Sequence, residues 1–101
     1  DKMIQAEQVD VLTGIIWSNL AMAVVPNAVA QGKFYLSPNA GPSPLAGEKC
    51  NQNYFNVAYQ NDNFHEAAGN YAQQQGIKKM FILAPNYPAG TDSLNGFKRF
   101  Y

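Results

Sequence analysis

Charge is scarce in this chain: Asp, Glu, Lys and Arg make up only 14% of its 101 residues, against roughly a quarter in an average globular domain. The seven acidic and seven basic side chains cancel, and the basic ones cluster only at Lys78-Lys79 and Lys98-Arg99. A nucleic acid or an anionic membrane calls for a positive patch, so neither is expected as a partner. Cysteine is almost absent. Cys50 stands alone, which excludes an internal disulfide framework and a thiolate zinc cluster; it is expected either to be free or to pair outside these residues. No apolar run approaches the roughly 20 residues that span a bilayer. The opening Asp1-Lys2-Met3-Ile4-Gln5 lacks the basic and apolar regions of a signal peptide, as a mature or trimmed secreted chain would. Glu48, Glu66 and Asp92 lack the spacing of a paired-carboxylate or metal site,. No Gly-rich phosphate loop is present. Cys50 and the single histidine, His65, are linked by no nucleophile–base motif,, and His65 reads as a solvated helix residue. No enzyme activity, metal or cofactor is expected.

What remains is an apolar and amide-rich chain, 47% hydrophobic and 13% aromatic, enough for one modest core. Lys2 to Gln8 reads as the tail of a helix. Val9 to Ile16, rich in β-branched residues, reads as a buried strand. Ser18 or Asn19 caps a helix that runs through Ala21, Ala23, Val24, Ala28 and Val29 to Gly32, bent where Pro26 removes a hydrogen bond. Lys33 to Leu36 is a second strand, Asn39 to Asn53 a loop, and Tyr54 to Val57 a brief strand. Asn63 followed by Glu66 fits a capping box. It opens a helix with Phe64, Ala68, Tyr71, Ala72 and Gln75 on one face, ended by Gly76. Lys79 to Ala84 reads as a further strand, Pro85 to Gly90 as a loop, and Thr91 or Asp92 as the start of a last helix with Leu94 and Phe97 inward.

Strands alternating with helices imply a parallel sheet covered on both faces. The fold class is therefore α/β, a three-layer flavodoxin-like arrangement. It is expected to be incomplete, with sheet edges open to self-association between chains. Ligands of such sheets bind beyond the carboxyl ends of the strands. Three loops lie there: Gly14 to Asn19, Ser37 to Gly41, and Pro85 to Gly90. Hydroxyls, amides and free backbone N–H groups in these loops can hold a carboxylate without a full positive charge. Each residue also has a plainer role: Ser18 as a helix cap, Trp17 as a lid on the sheet edge, Ala40 and Gly41 as turn residues, Tyr87 as loop cover.

The succession Val9-Asp10-Val11-Leu12-Thr13-Gly14, Ser18 opening an Ala-rich helix with Pro26, then Phe34-Tyr35-Leu36-Ser37-Pro38-Asn39-Ala40, Tyr54-Phe55-Asn56, and finally Tyr87, Gly90 and Phe97 resembles the type I periplasmic binding proteins for leucine, isoleucine and valine. The resemblance spans almost the whole chain. It implies a two-lobed, non-catalytic solute-binding protein of an ABC importer, located in the periplasm and serving a membrane permease. Residues 1–101 would be part of its N-terminal lobe. By position it implies ligand contacts from Trp17, Ser18, Asn39, Ala40, Gly41 and Tyr87, with Ser18 on the ligand carboxylate. The family often carries Thr or Ser where Gly41 lies, and Pro88 replaces its glycine after the tyrosine. The bulk of Trp17 suits an aromatic acid as well as an amino acid. A ligand-sensing domain of a receptor or transcriptional regulator with the same fold is the alternative. A receiver-type module is disfavoured, since Asp10 lies within its strand and Lys78-Lys79 precede theirs.

Overall fold

The structure, a computed structural model, describes residues 1–101. The chain runs α1 (Lys2–Gln5), β1 (Val11–Thr13), α2 (Ser18–Ala30), β2 (Phe34–Ser37), α3 (Ser43–Ala46), β3 (Tyr54–Asn56), α4 (Asn63–Gln74) and α5 (Pro88–Phe100). The strands form one parallel sheet in the order β1-β2-β3, as the α/β reading requires. Leu12 lies beside Tyr35, and Tyr35 beside Tyr54.

Period-two alternation on β2 sends Tyr35 and Ser37 into the core and leaves Phe34 and Leu36 exposed,. Helix α2 covers the inner face. Its buried positions Ser18, Ala21, Val25 and Ala28 recur at helical spacing, and Ala21 and Val25 close a cluster with Tyr35, Ala40 and Leu45. Small side chains let the helix sit close to the sheet. Pro26 is accommodated within α2. The helix ends on Gly32, whose φ of +75° suits the bonds from Gly32 N–H to Val29 and from Lys33 N–H to Ala28,. Tyr35 stacks on Tyr54 at 6.2 Å and donates its hydroxyl to the Gly14 carbonyl at 2.8 Å. Burial pushes both phenols above their ordinary range, which keeps them neutral donors. The outer face of the sheet, with Phe34, Leu36 and Phe55, is open within these residues; cover on both faces is not found here.

Several boundaries differ from the sequence reading. The first strand pairs only over Val11–Thr13, because positive φ at Gly14 and Ile15 turns the chain out of the sheet. The stretch from Asn39 to Asn53 contains α3, whose Leu45 joins the core. The last helix starts at Pro88 rather than at Thr91, since the fixed φ of proline suits a first helical turn. Lys79 to Ala84 is not a strand: no neighbour supplies a ladder, and pairing is what makes an extended segment a strand. Its residues still alternate, with Phe81 and Leu83 89% and 86% exposed and Ile82 turned partly inward.

Helix α4 buries only part of the face expected. Ala72 is buried as expected and Gly69 joins it, while Phe64, Ala68 and Tyr71 are exposed. The cause is α5, which packs so closely that the Gly69 Cα faces the Phe97 backbone and the Gly96 Cα faces the Asp62 backbone. Neither capping prediction holds: Trp17 and Asp62 occupy the N-cap positions, without side-chain cap bonds. The Glu66 carboxylate instead pairs with Arg99. Arg99 also reaches Asp62 at 3.2 Å, tying the two helices together.

Asp62 is buried. Burial works to raise its pKa, but Ser43, its own backbone, Gln60 and Arg99 together hold the carboxyl below its ordinary value. A depressed folded-state pKa stabilises the fold above the unfolded value of about 4 and is lost as pH falls through the folded value. Asp62→Asn is therefore expected to lower the melting temperature at neutral pH and to flatten its fall on acidification below about pH 4. Thermal unfolding across that range checks it; parallel curves for the two proteins would refute it.

Candidate functional site

The loops after β1 and β2 meet at one corner of the sheet. The Asn39 amide donates to the Ile16 carbonyl at 3.1 Å, which ties the second loop to the first. A third segment, Tyr59 to Asn61, completes the corner. Asn61 N–H donates to the Gly41 carbonyl at 2.8 Å, and Asn61 Nδ2 donates to Ser18 Oγ at 2.9 Å. Gly41 is required there: a Cβ would lie 2.1 Å from the Tyr59 carbonyl oxygen. That contact is why Thr or Ser does not occupy this position.

The corner is rich in unspent donors. The N–H groups of Ala40 and Gly41 make no backbone hydrogen bond, and those of Ser18 and Asn19 belong to the open first turn of α2,. The carbonyls point the other way. That of Ala40 accepts from the Ser37 and Tyr54 hydroxyls. Ser18 is only 3% exposed; its hydroxyl accepts from Asn61 and is not a helix cap.

Beside this corner lie two clefts that share Tyr87. One of about 490 Å³ is bounded by Trp17, Asn19, Leu20, Pro85 and Tyr87 and is mostly apolar. Trp17 and Tyr87 meet edge to face there, with centroids 6.4 Å apart,. The other, of about 330 Å³, is more polar and lies between Asn39, Tyr59, Asn61, His65 and Ser93 on one side and Tyr87 on the other.

Of the six residues marked in the sequence, Trp17, Asn39 and Tyr87 line the clefts, while Ser18, Ala40 and Gly41 form the buried wall behind them. The sequence reading missed Tyr59, Asn61 and Ser93, and set His65 among solvated residues although it is half-buried in the polar cleft. The amide-rich run Gln60-Asn61-Asp62-Asn63 was the available signal. Its partners lie 43 and 31 positions away, beyond the reach of local pattern. Neither cleft is lined by an acidic residue.

A family model described as periplasmic binding protein matches residues 1–101. The chain belongs to that family. Among solved structures, this periplasmic binding protein is similar to an ABC-transporter solute-binding protein from R. palustris in complex with benzoate, at 34% identity and a TM-score of 0.90, over 98% of this chain and 28% of the other. It is also similar to one from Rhodopseudomonas palustris HaA2 in complex with p-hydroxybenzoic acid, at 26% identity and a TM-score of 0.84, over 98% of this chain and 26% of the other. A periplasmic binding protein from Burkholderia mallei shares the fold, at 23% identity and a TM-score of 0.89, over 98% and 26% of the two chains. The chain thus spans about a quarter of the length of these relatives. No curated protein is matched.

Proposed function

We propose that these residues form part of the N-terminal lobe of a solute-binding protein of an ABC importer, and that the lobe holds an aromatic carboxylate of the benzoate class. The reading rests on one observation: a corner of neutral donors, built by Ser18, Ala40 and Gly41, sits against a cleft walled by Trp17 and Tyr87. Neutral N–H and O–H donors at a helix N-terminus bind an anion well, and aromatic walls suit a flat ring. An amino acid would also call for a partner to its ammonium group, and no acidic side chain lines either cleft. The relatives bound to benzoate and p-hydroxybenzoic acid support the same class. The protein would work in the periplasm by capture and release, its second lobe closing over the ligand and a membrane permease receiving it.

Titration calorimetry of the full-length protein with benzoate tests this. Ser18→Ala removes a charge-assisted hydrogen bond and is expected to weaken binding by about 1–3 kcal/mol, roughly 5- to 150-fold. An unchanged affinity would take the Ser18 hydroxyl out of the site.

A further inference from the structure

We infer that Asn61 is a positioning residue that sets the direction of the Ser18 hydroxyl, turning it into a donor for the ligand carboxylate. This inference rests on the proposed aromatic-carboxylate site.

The chemistry runs through one nitrogen. Asp92 Oδ2 accepts from the Ser43 N–H at 3.0 Å and from Asn61 Nδ2 at 3.0 Å. An oxygen serving as acceptor can be met only by the amide's NH₂ group, because its carbonyl oxygen would face lone pair to lone pair. The orientation of the Asn61 amide is therefore fixed by Asp92. The same nitrogen lies 2.9 Å from Ser18 Oγ, so the hydroxyl must accept there. A hydroxyl has a single hydrogen. With its oxygen occupied by Asn61 and no acceptor for its hydrogen within the chain, Ser18 is left as a donor. Without Asn61 the hydroxyl would be free to turn and to offer a lone pair to the ligand, which repels a carboxylate.

Asn61 also holds the wall in register. Its backbone N–H binds the Gly41 carbonyl at 2.8 Å, which anchors the turn whose two preceding peptides carry the unspent N–H groups of Ala40 and Gly41. One residue thus bonds to both the hydroxyl on α2 and the turn after β2. Asp92, at the start of α5, anchors it. The three elements come from distant parts of the sequence, and Asn61 lies where they meet.

The test is a double-mutant cycle in the full-length protein, read by calorimetry with benzoate as the probe, with thermal unfolding followed in parallel. Asn61→Ala is expected to weaken benzoate binding about tenfold in the native background and less than about twofold in the Ser18→Ala background. A residue that only supports the fold would cost the same in both backgrounds, and that result would overturn the inference, as would full affinity in Asn61→Ala. If Asn61→Ala does not fold, Asn61→Leu keeps roughly the side chain's size while removing the donated hydrogens without adding a charge, and the same cycle applies. A crystal structure of the native protein with benzoate gives a second reading. A Ser18 Oγ within about 3 Å of a carboxylate oxygen, with the Asn61 bond intact, supports the inference, and a separation beyond about 4 Å overturns it. Native protein that binds neither benzoate nor p-hydroxybenzoate would remove the ligand class itself, and the inference with it. That outcome is seen before any variant is made.

Discussion

Gly90→Ala is expected to unfold this region more readily than alanine at any of the other seven glycines. Gly90 lies in the first turns of α5, and a Cβ there would sit 1.8 Å from the Pro85 carbonyl oxygen and 2.9 Å from its carbon. Both are backbone atoms, which cannot rotate aside as a side-chain tip would. The Pro85 carbonyl is also the acceptor for Tyr87 N–H at 2.9 Å, so any relief must move the turn that carries Tyr87. Overpacking of this severity costs about 3 kcal/mol or more, and a fall in melting temperature of roughly 12–24 °C is expected for a chain of this size. Gly32→Ala is the control. Nothing lies within 4 Å of its Cβ position, and only its φ of +75° is at stake; a loss near 1 kcal/mol is expected. Equal melting temperatures for the two variants, read by circular dichroism, would refute the ranking. Because Tyr87 borders both clefts, ligand affinity should fall in Gly90→Ala and not in Gly32→Ala.

Trp17→Ala is expected to have the opposite profile, with little effect on the fold and a large one on binding. Trp17 is 58% exposed, so its removal takes little from the core. A ligand ring that covers it would bury most of the indole, and aromatic anchors of this kind carry about 2–3 kcal/mol. Benzoate affinity should drop roughly 30- to 150-fold, with Trp17→Phe in between. Unchanged affinity in Trp17→Ala would exclude the apolar cleft as the place where the ring binds.

Much of the fold was legible in the sequence because its signals are local. A β-branched run marked β1, a short apolar and aromatic run stopped at Ser37-Pro38 marked β2, Gly32 and Gly76 marked two helix ends, and the alternation of strands with helices gave the parallel sheet. What was not legible depended on partners far along the chain. Lys79 to Ala84 has the composition of a strand but no neighbour within these residues. The inward face of α4 is set by glycines that admit α5, and a search for large apolar side chains points to the wrong side. In the candidate site, Trp17 and Asn39 could be placed by position beyond strand ends, and Tyr87 beyond a segment with the composition of a strand. Asn61 could not, since its significance arises only when Ser18, Gly41 and Asp92 are brought around it. Asp92 was set aside for lacking a metal-site spacing, and its actual work is to orient an amide.

Ile15 has a φ of +65°, a conformation that costs a β-branched residue more than almost any other. Its side chain packs against the Tyr35 cluster, and the Gly14 carbonyl beside it receives the Tyr35 hydroxyl. The turn leading to Trp17 is thus wound during folding and clamped at its base, like a spring set before use. On the proposed function, a solute arriving at the corner would meet a loop that has already surrendered its freedom. The ordering entropy falls on the folding equilibrium, where the core can offset it, and is largely spared from the binding equilibrium.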